Sequence, residues 1–271
     1  IFGPGVVSRV FTVPLINNNH ADGSRAVVLQ LTNPVPASAL TYPSTALLNI
    51  VDDESYNLPP GQAEPTFHPV FDGVVNAVAV QPNGAIVAGG SFTVANSITR
   101  HRLARLNSDG TLDLGFASLP GGANDAVRAL ALQSDGRILI GGDFTTYDGI
   151  NRSHFARVNL DGSLDGQFDP GSALDQSAYA VVETFTDTNQ TVRKILVGGS
   201  FTLANGAPRR YLAQFNDNGS VDPGFNPSPD PGANGIDGFV WAIAVQTDHK
   251  VVIGGDFVSI NGMARNHIAR L

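Results

Sequence analysis

Cysteine is absent from the 271 residues, which excludes disulfide frameworks, thiolate zinc sites, iron–sulfur clusters and thiol nucleophiles together. Charge is scarce too: Asp, Glu, Lys and Arg make up 15% of the chain, against about 25% in an average globular domain. Lysine stands only at Lys194 and Lys250, and the arginines are scattered, for a net charge of −8. No basic tract is present to neutralise phosphates, so nucleic acid is not an expected partner. Apolar runs end after about six residues, far short of the ~20 a membrane helix requires, so no membrane span is expected. Ile1 to Val7 show neither a basic n-region nor a cleavage signal.

Glycine and proline, by contrast, are plentiful, at 30 and 17 residues. They punctuate short Val/Ile/Leu/Phe/Thr runs, a pattern of many short strands and tight turns. Within it a Gly-Gly-(Ser/Asp)-Phe element recurs four times, at Gly89-Gly90-Ser91-Phe92, Gly141-Gly142-Asp143-Phe144, Gly198-Gly199-Ser200-Phe201 and Gly254-Gly255-Asp256-Phe257. Each first Gly is followed 15 residues later by Ala104, Ala156, Ala213 or Ala269, and the first three, 27 residues later, by Phe116, Phe168 or Phe225. The units start 52, 57 and 56 residues apart, with the extra length around Thr186–Thr191 and in the Pro-rich stretch Asn226–Gly235. Indels confined to such positions mark loops on a constant scaffold.

Each unit reads as four short strands, exemplified by Val75–Val80, Ala85–Ala88, Leu103–Leu106 and Thr111–Phe116. Four strands in about fifty residues, repeated, predict a β-propeller blade, with a parallel β-solenoid as the competing architecture. The paired glycines are expected where neighbouring blades approach too closely for a Cβ, and the Phe in the gap between sheets. Asp109-Gly110, Asp161-Gly162 and Asn218-Gly219 are expected as type I′ hairpin turns. The Asn-x-(Asp/Asn)-Gly-x-x-Asp pattern around them lacks the bidentate Glu of a calcium loop.

The blocks Val-Gln-Pro-Asn-Gly, Gly-Gly-Ser-Phe and Leu-Ala-Arg-Leu-Asn-Ser-Asp-Gly-Thr-Leu-Asp resemble the delta-60 repeat, a bacterial β-propeller repeat of large exported proteins, over about residues 64–271. That resemblance implies a surface or secreted scaffold and attaches no catalytic residues. Residues 1–55 lack the repeat. There Phe11–Ile16, Leu29–Pro34 and Leu48–Glu54 resemble the C-terminal half of a Calx-beta domain, an immunoglobulin-like sandwich. Calcium is what this second resemblance implies, at Asp22, Asp52, Asp53 and Glu54. The family's paired aspartates stand here as Asn17-Asn18, however, which removes two charges from a hard-oxygen site. A solvated acidic turn is the preferred reading and calcium the alternative. The expected fold is thus all-β: a partial Calx-beta sandwich over 1–55, a linker over 56–63, and β-propeller blades of four antiparallel strands over 64–271, about four in number with the last incomplete. Both ends fall inside a module, so a window on a longer protein is expected.

Among the recurring polar residues, Arg100, Arg152, Arg209 and Arg265 precede the marker Ala by four positions. Glu64, Asp113, Asp165 and Asp222 recur three before a closing Phe. Arg–carboxylate pairs within or between blades are expected, with a ring of arginines binding an anionic glycan as the alternative. His154, His267, Tyr211 and Arg102 share one repeat position, which points to a flat amphipathic side chain rather than a metal ligand. No nucleophile elbow, His-Glu-x-x-His or P-loop occurs, and Asp230 with Asp237 is not tied to any cleft. The sequence reading is therefore of a non-enzymatic extracellular or cell-surface bacterial scaffold contacting copies of itself, other surface proteins or glycans. Accessory modules of a carbohydrate-active enzyme and a subunit of a self-assembling fibre are the alternatives.

Overall fold

The computed structural model describes residues 62–117, 121–185, 192–227 and 235–271, together with two backbone strands, Arg25–Gln30 and Thr45–Ile50. The chain divides into two units, Ile1–Phe67 and His68–Leu271. In the first, the two strands pair antiparallel, with Arg25 opposite Ile50 and Gln30 opposite Thr45. The Calx-beta-type positions Asp22, Asp52, Asp53 and Glu54 lie outside the described residues.

The second unit is all β among its described residues. It holds four three-stranded antiparallel sheets, one per sequence repeat. The first strands are Val75–Val80, Val127–Leu132, Ala178–Phe185 and Val240–Val245. The central strands are Ile86–Gly90, Ile138–Gly142, Arg193–Gly199 and Val251–Gly255. The third are Leu103–Leu106, Phe155–Val158, Leu212–Asn216 and Ile268–Arg270. The fourth strand is contracted to a single bridge in the first three repeats: Leu106 with Leu112, Val158 with Leu164 and Phe215 with Val221. Flanking backbone hydrogen bonds extend it by a residue on each side, as from Asn107 N to Thr111 O (2.8 Å) and from Asp113 N to Arg105 O (2.9 Å).

Successive sheets pack face to face. The central strands are buried on both sides, which is why they read as uninterrupted apolar runs rather than alternating ones. Ile138 and Ile140 enter a core shared with Val87, Leu103 and Phe116 of the first repeat. Leu139, between them, enters the core shared with Phe201 and Phe215 of the third. A third core joins Leu196 and Leu212 to Val240 and Phe257. The cores are therefore the spaces between sheets, and no repeat completes one alone. Phe144, Phe201 and Phe257 are fully buried and fill the space toward the preceding sheet. Phe116 and Phe168, also fully buried, close the space toward the following one. Because the first strands of neighbouring sheets also lie against one another, the sheets converge on that side, as spokes do toward an axis.

The two glycines of each pair have different reasons. A Cβ on the first would strike the following sheet: Val127 Cγ1 at 2.6 Å for Gly89, Ala178 Cβ at 2.9 Å for Gly141 and Val240 Cγ1 at 2.6 Å for Gly198. That is the close approach of blades expected from the sequence. A Cβ on the second would instead strike its own sheet, at a backbone carbonyl 2.1 Å away for Gly90 (Val74 O), Gly142 (Ala126 O) and Gly199 (Ser177 O). The carbonyl is brought there by a β-bulge at the start of each first strand, such as that between Val75 and Ala77.

The turns also differ from expectation. The two-residue loops with positive φ at both positions are Asn96-Ser97, Asp148-Gly149, Asn205-Gly206 and Asn261-Gly262. They close the small hairpins Val94–Thr99, Thr146–Asn151, Leu203–Pro208 and Ser259–Ala264 and are the type I′ turns. At Asp109-Gly110 only the glycine is left-handed (φ 84°). Gly110 N there donates to Asn107 O (3.0 Å) and Asn107 N to Thr111 O (2.8 Å), a type I turn closed by a glycine bulge. Asp109 Oδ1 takes the Thr111 amide at 2.9 Å and its hydroxyl at 2.6 Å, so this carboxylate serves the turn.

Candidate functional site

The recurring carboxylates and amides do structural work at defined places. Asp72, Asn124, Asp175 and Asp237 each reach across to the small hairpin of their own repeat. Asp175 Oδ1 accepts from Thr202 N (2.8 Å) and Leu203 N (2.9 Å), while its Oδ2 accepts from Thr202 Oγ1 (2.7 Å). Asp72 holds Thr93 and Val94, Asn124 holds Thr145 and Thr146, and Asp237 holds Val258 and Ser259 in the same way. For Asp175 burial alone would raise the pKa, but the hydrogen bonds from Leu203 and Thr202 outweigh it and hold the carboxyl below the usual range. This clamp stands 17 residues before the first Gly in three repeats and 23 in the third. The longer hairpin hides that register in the sequence.

The arginine–carboxylate pairs expected from the sequence form with different partners. Arg105 and Arg157, directly after the marker alanines, donate through Nε to Asp113 (2.8 Å) and Asp165 (2.7 Å). Each guanidinium also lies over a closing phenylalanine, 4.5 Å from the Phe116 centroid and 4.6 Å from that of Phe168. Each then reaches the next blade, at Leu160 O (2.6 Å) and Asp217 O (2.9 Å). In the third repeat Gln214 occupies this position, and Lys194 supplies the cation to Asp222 at 2.8 Å. Burial opposes ionisation of Asp165, yet Gln167 N, Arg157 and Arg137 together hold its pKa down. A second group of charges, Arg137, Arg193, Asp135 and Asp217, extends this network between the second and third repeats.

Arg100, Arg152 and Arg209 are buried and do not make the predicted pairs. Each donates through Nη1 to the carbonyl of the residue before it, at 2.9, 2.8 and 2.8 Å. Arg209 also reaches the Asp222 carbonyl at 3.5 Å, and Arg152 approaches the exposed Asp169 carboxylate at 4.0 Å. Being buried, the three do not form an open ring of cations. Arg265, in the last repeat, is exposed and donates to Ala264 O at 2.7 Å.

The position shared by Arg102, His154, Tyr211 and His267 has φ between 65° and 68° in all four repeats. Histidine is among the side chains enriched there, but Arg and Tyr are not, so the position shows no common left-handed signal in the sequence. The two histidines turn back onto the paired glycines, with His154 Nδ1 3.1 Å from Gly142 O and His267 Nδ1 3.1 Å from Gly255 O, whereas Arg102 Nη1 donates to the Ser91 and Phe92 carbonyls just beyond them.

Sequence reasoning missed the β-bulge residue of each first strand: Asn76, Arg128, Tyr179 and Trp241. All four stand where the first strands converge. Asn76 Nδ2 donates to Val127 O of the next blade at 3.0 Å. Arg128 is held bidentate by Asp143 (Nε to Oδ1 2.7 Å, Nη2 to Oδ2 2.6 Å) and lies 5.8 Å from the Tyr179 ring. Tyr179 stacks on Trp241 with centroids 4.3 Å apart, and Phe239 meets Trp241 edge-on at 5.9 Å. A separate open cleft of about 620 Å³ between the first two blades is lined by His101, Gly122, Asn124 and Asp148. Asp148 there is already engaged by Gly122 N at 2.6 Å.

Four stretches of the chain, 81–116, 133–168, 193–225 and 246–271, match the family model described as a domain of unknown function (DUF5122) beta-propeller. The repeat is a β-propeller blade. Among solved structures, the extracellular domain of the one-component system BT4673 from B. thetaiotaomicron is similar at 16% identity and a TM-score of 0.38 over 73% of this chain. The extracellular domain of the hybrid two-component system BT4673 is similar at 13% identity and 0.36 over 79%. The chain spans 21% and 28% of those chains. No curated protein matches it in sequence. Among the described residues, no helix is long and apolar enough to cross a membrane.

Proposed function

We propose that this β-propeller is a non-enzymatic extracellular scaffold that offers a rigid surface for protein or glycan contacts. The observation that carries the reading is how the recurring charged residues are used. Asp72, Asp175 and Asp237 clamp hairpins. Asp109 and Asp161 close turns. Asp113, Asp165 and Asp222 pair with cations of their own repeat. In a fold assembled this way, polar residues that recur serve rigidity, and contact chemistry falls to positions that differ between repeats. The resemblance to delta-60 arrays supports a place outside the cell, and the Calx-beta-like segment suits a multi-module surface protein. Two measurements test the reading: protease shaving of intact source cells should remove the epitope, and the purified protein should release no sugars from polysaccharides.

A further inference from the structure

The four repeats act as internal controls for one position. The residue before each bulge is Val75, Val127, Ala178 or Val240, and the residue after it is Ala77, Ala129, Ala180 or Ala242. Both flanks are small and apolar, and Val127, Ala178 and Val240 pack against the first glycine of the preceding sheet. Between them the backbone repeats while the side chain changes from Asn to Arg to Tyr to Trp. Packing does not dictate that choice. A bulge re-aims the extra residue and is common beside binding sites, so the fold displays four chosen side chains in a row along the inner strands.

The last two are aromatic, Tyr179 half-buried and Trp241 exposed. Trp241 is 44% exposed and Phe239, just before the strand, 37%, more than aromatic rings of this size ordinarily leave open. Tyr179 and Trp241 are nearly parallel, at 24°, and Tyr211 buttresses Phe239 from the side at 5.5 Å. Next along the row come planar hydrogen-bonding groups in fixed positions. Asp143 holds Arg128 in a fork and accepts from Ser177 Oγ at 2.7 Å. Because Arg128 and Asp143 neutralise each other, the row has no unpaired charge to select an anion at that point.

We infer that Tyr179, Trp241 and Phe239, with Arg128 and Asp143 at their edge, form a binding site for a neutral pyranose ring of an oligosaccharide. A pyranose has a face of C–H groups that packs on an aromatic ring and a rim of hydroxyls that both donate and accept. An aromatic surface continuous with an exposed guanidinium–carboxylate fork matches both parts. A flat protein partner would need a broader apolar patch than this narrow row. The inference rests on the scaffold reading and names the ligand class for it.

Trp241 is the only tryptophan, so its fluorescence reports this site alone. The test is titration of the whole chain with cellohexaose, xylohexaose, laminarihexaose and chitohexaose at up to millimolar concentration. At least one should give a saturable change in emission. Tyr179→Ala should weaken that binding about tenfold, the scale of one lost aromatic contact. Arg128→Ala, at an exposed side chain, should weaken it as well. Asn76→Ala should leave it unchanged, and Arg128→Ala, which loses only its half-exposed pair with Asp143, should melt within a few degrees of wild type while binding falls. No saturable response to any of the four sugars overturns the inference, as does binding that survives both Tyr179→Ala and Arg128→Ala. Chromatography of the same mixtures separates the two levels: shortened oligosaccharides would overturn the scaffold reading, whereas intact sugar without binding overturns only the site.

Discussion

Gly198, Gly199 and Gly254 allow the packing account to be tested with one methyl group. Gly198 and Gly254 hold the same place in successive repeats, but among the described residues only Gly198 is covered by a following blade. Its Cβ would lie 2.6 Å from Val240 Cγ1 and 3.1 Å from Ile243 Cδ1, and Val240 is fully buried, so the neighbours have little room to yield. Overpacking of this kind costs about 1–3 kcal/mol. The smaller backbone entropy of an alanine in a strand recovers about 0.5–1 kcal/mol, leaving Gly198→Ala destabilised by about 1–2 kcal/mol. At Gly254 nothing lies within 3.8 Å, so Gly254→Ala should range from neutral to about 1 kcal/mol stabilising. Gly199→Ala is the severe case. Its Cβ would sit 2.1 Å from Ser177 O, which cannot swing aside without losing the Ser200 N hydrogen bond at 3.0 Å. A loss of about 3 kcal/mol or more is expected. At roughly 2–4 °C per kcal/mol for a unit of this size, the three melting temperatures should separate in the order Gly254→Ala, Gly198→Ala, Gly199→Ala. Urea titrations followed by circular dichroism and by Trp241 fluorescence measure the same order. If Gly254→Ala proved as damaging as Gly198→Ala, the assignment of the first glycine to the contact between blades would be wrong.

Other perturbations reach other parts of the same structure. Arg157→Ala strands the buried Asp165 with Arg137 as its remaining cation and should cost about 3 kcal/mol, while Arg157→Lys should recover only part of this because it cannot form the same fork; denaturant midpoints of both decide it. Asp175→Ala removes the acceptor for three donors of the 202–203 segment and should lower protection of those amides in hydrogen exchange, whereas Asp175→Asn, the residue type found at Asn124, should not. His249 has φ 64° where Gly84 and Gly136 stand in the equivalent turns, so His249→Gly should stabilise by about 0.5–1 kcal/mol in thermal melts. Asp113, Asp143, Asp165, Asp175 and Asp222 are all held below the ordinary carboxylate range, their hydrogen bonds outweighing the burial that opposes ionisation. Groups depressed in the folded state stabilise it above their unfolded values and lose that contribution as pH falls through the folded ones. Calorimetry should therefore show a melting temperature nearly flat from neutrality down to roughly pH 5 and falling steeply below about pH 4.

The periodic spacing of Gly-Gly-(Ser/Asp)-Phe, marker Ala and closing Phe was enough to specify an all-β array of blades with sheets packed face to face. That inference needs only local information, since strand length, turn residues and apolar spacing repeat whatever the neighbours do. The first glycine and the buried Phe144 and Phe201 were legible for the same reason. Partnership was not. Arg100 and Asp113 recur at fixed spacing, yet Asp113 pairs with Arg105, because strand pairing sets Arg105 opposite the returning fourth segment and carries Arg100 to the small hairpin. The second glycine answers to a carbonyl displaced by a bulge, and a bulge leaves no residue signature when its extra position is Asn, Arg, Tyr and Trp in turn. Likewise, the left-handed backbone at His154 and Tyr211 is imposed by the turn from hairpin to third strand. Sequence periodicity determined which residues are equivalent. Only the folded chain decided what each equivalent position touches, because contacts between blades join residues some fifty positions apart through a geometry that no local pattern encodes.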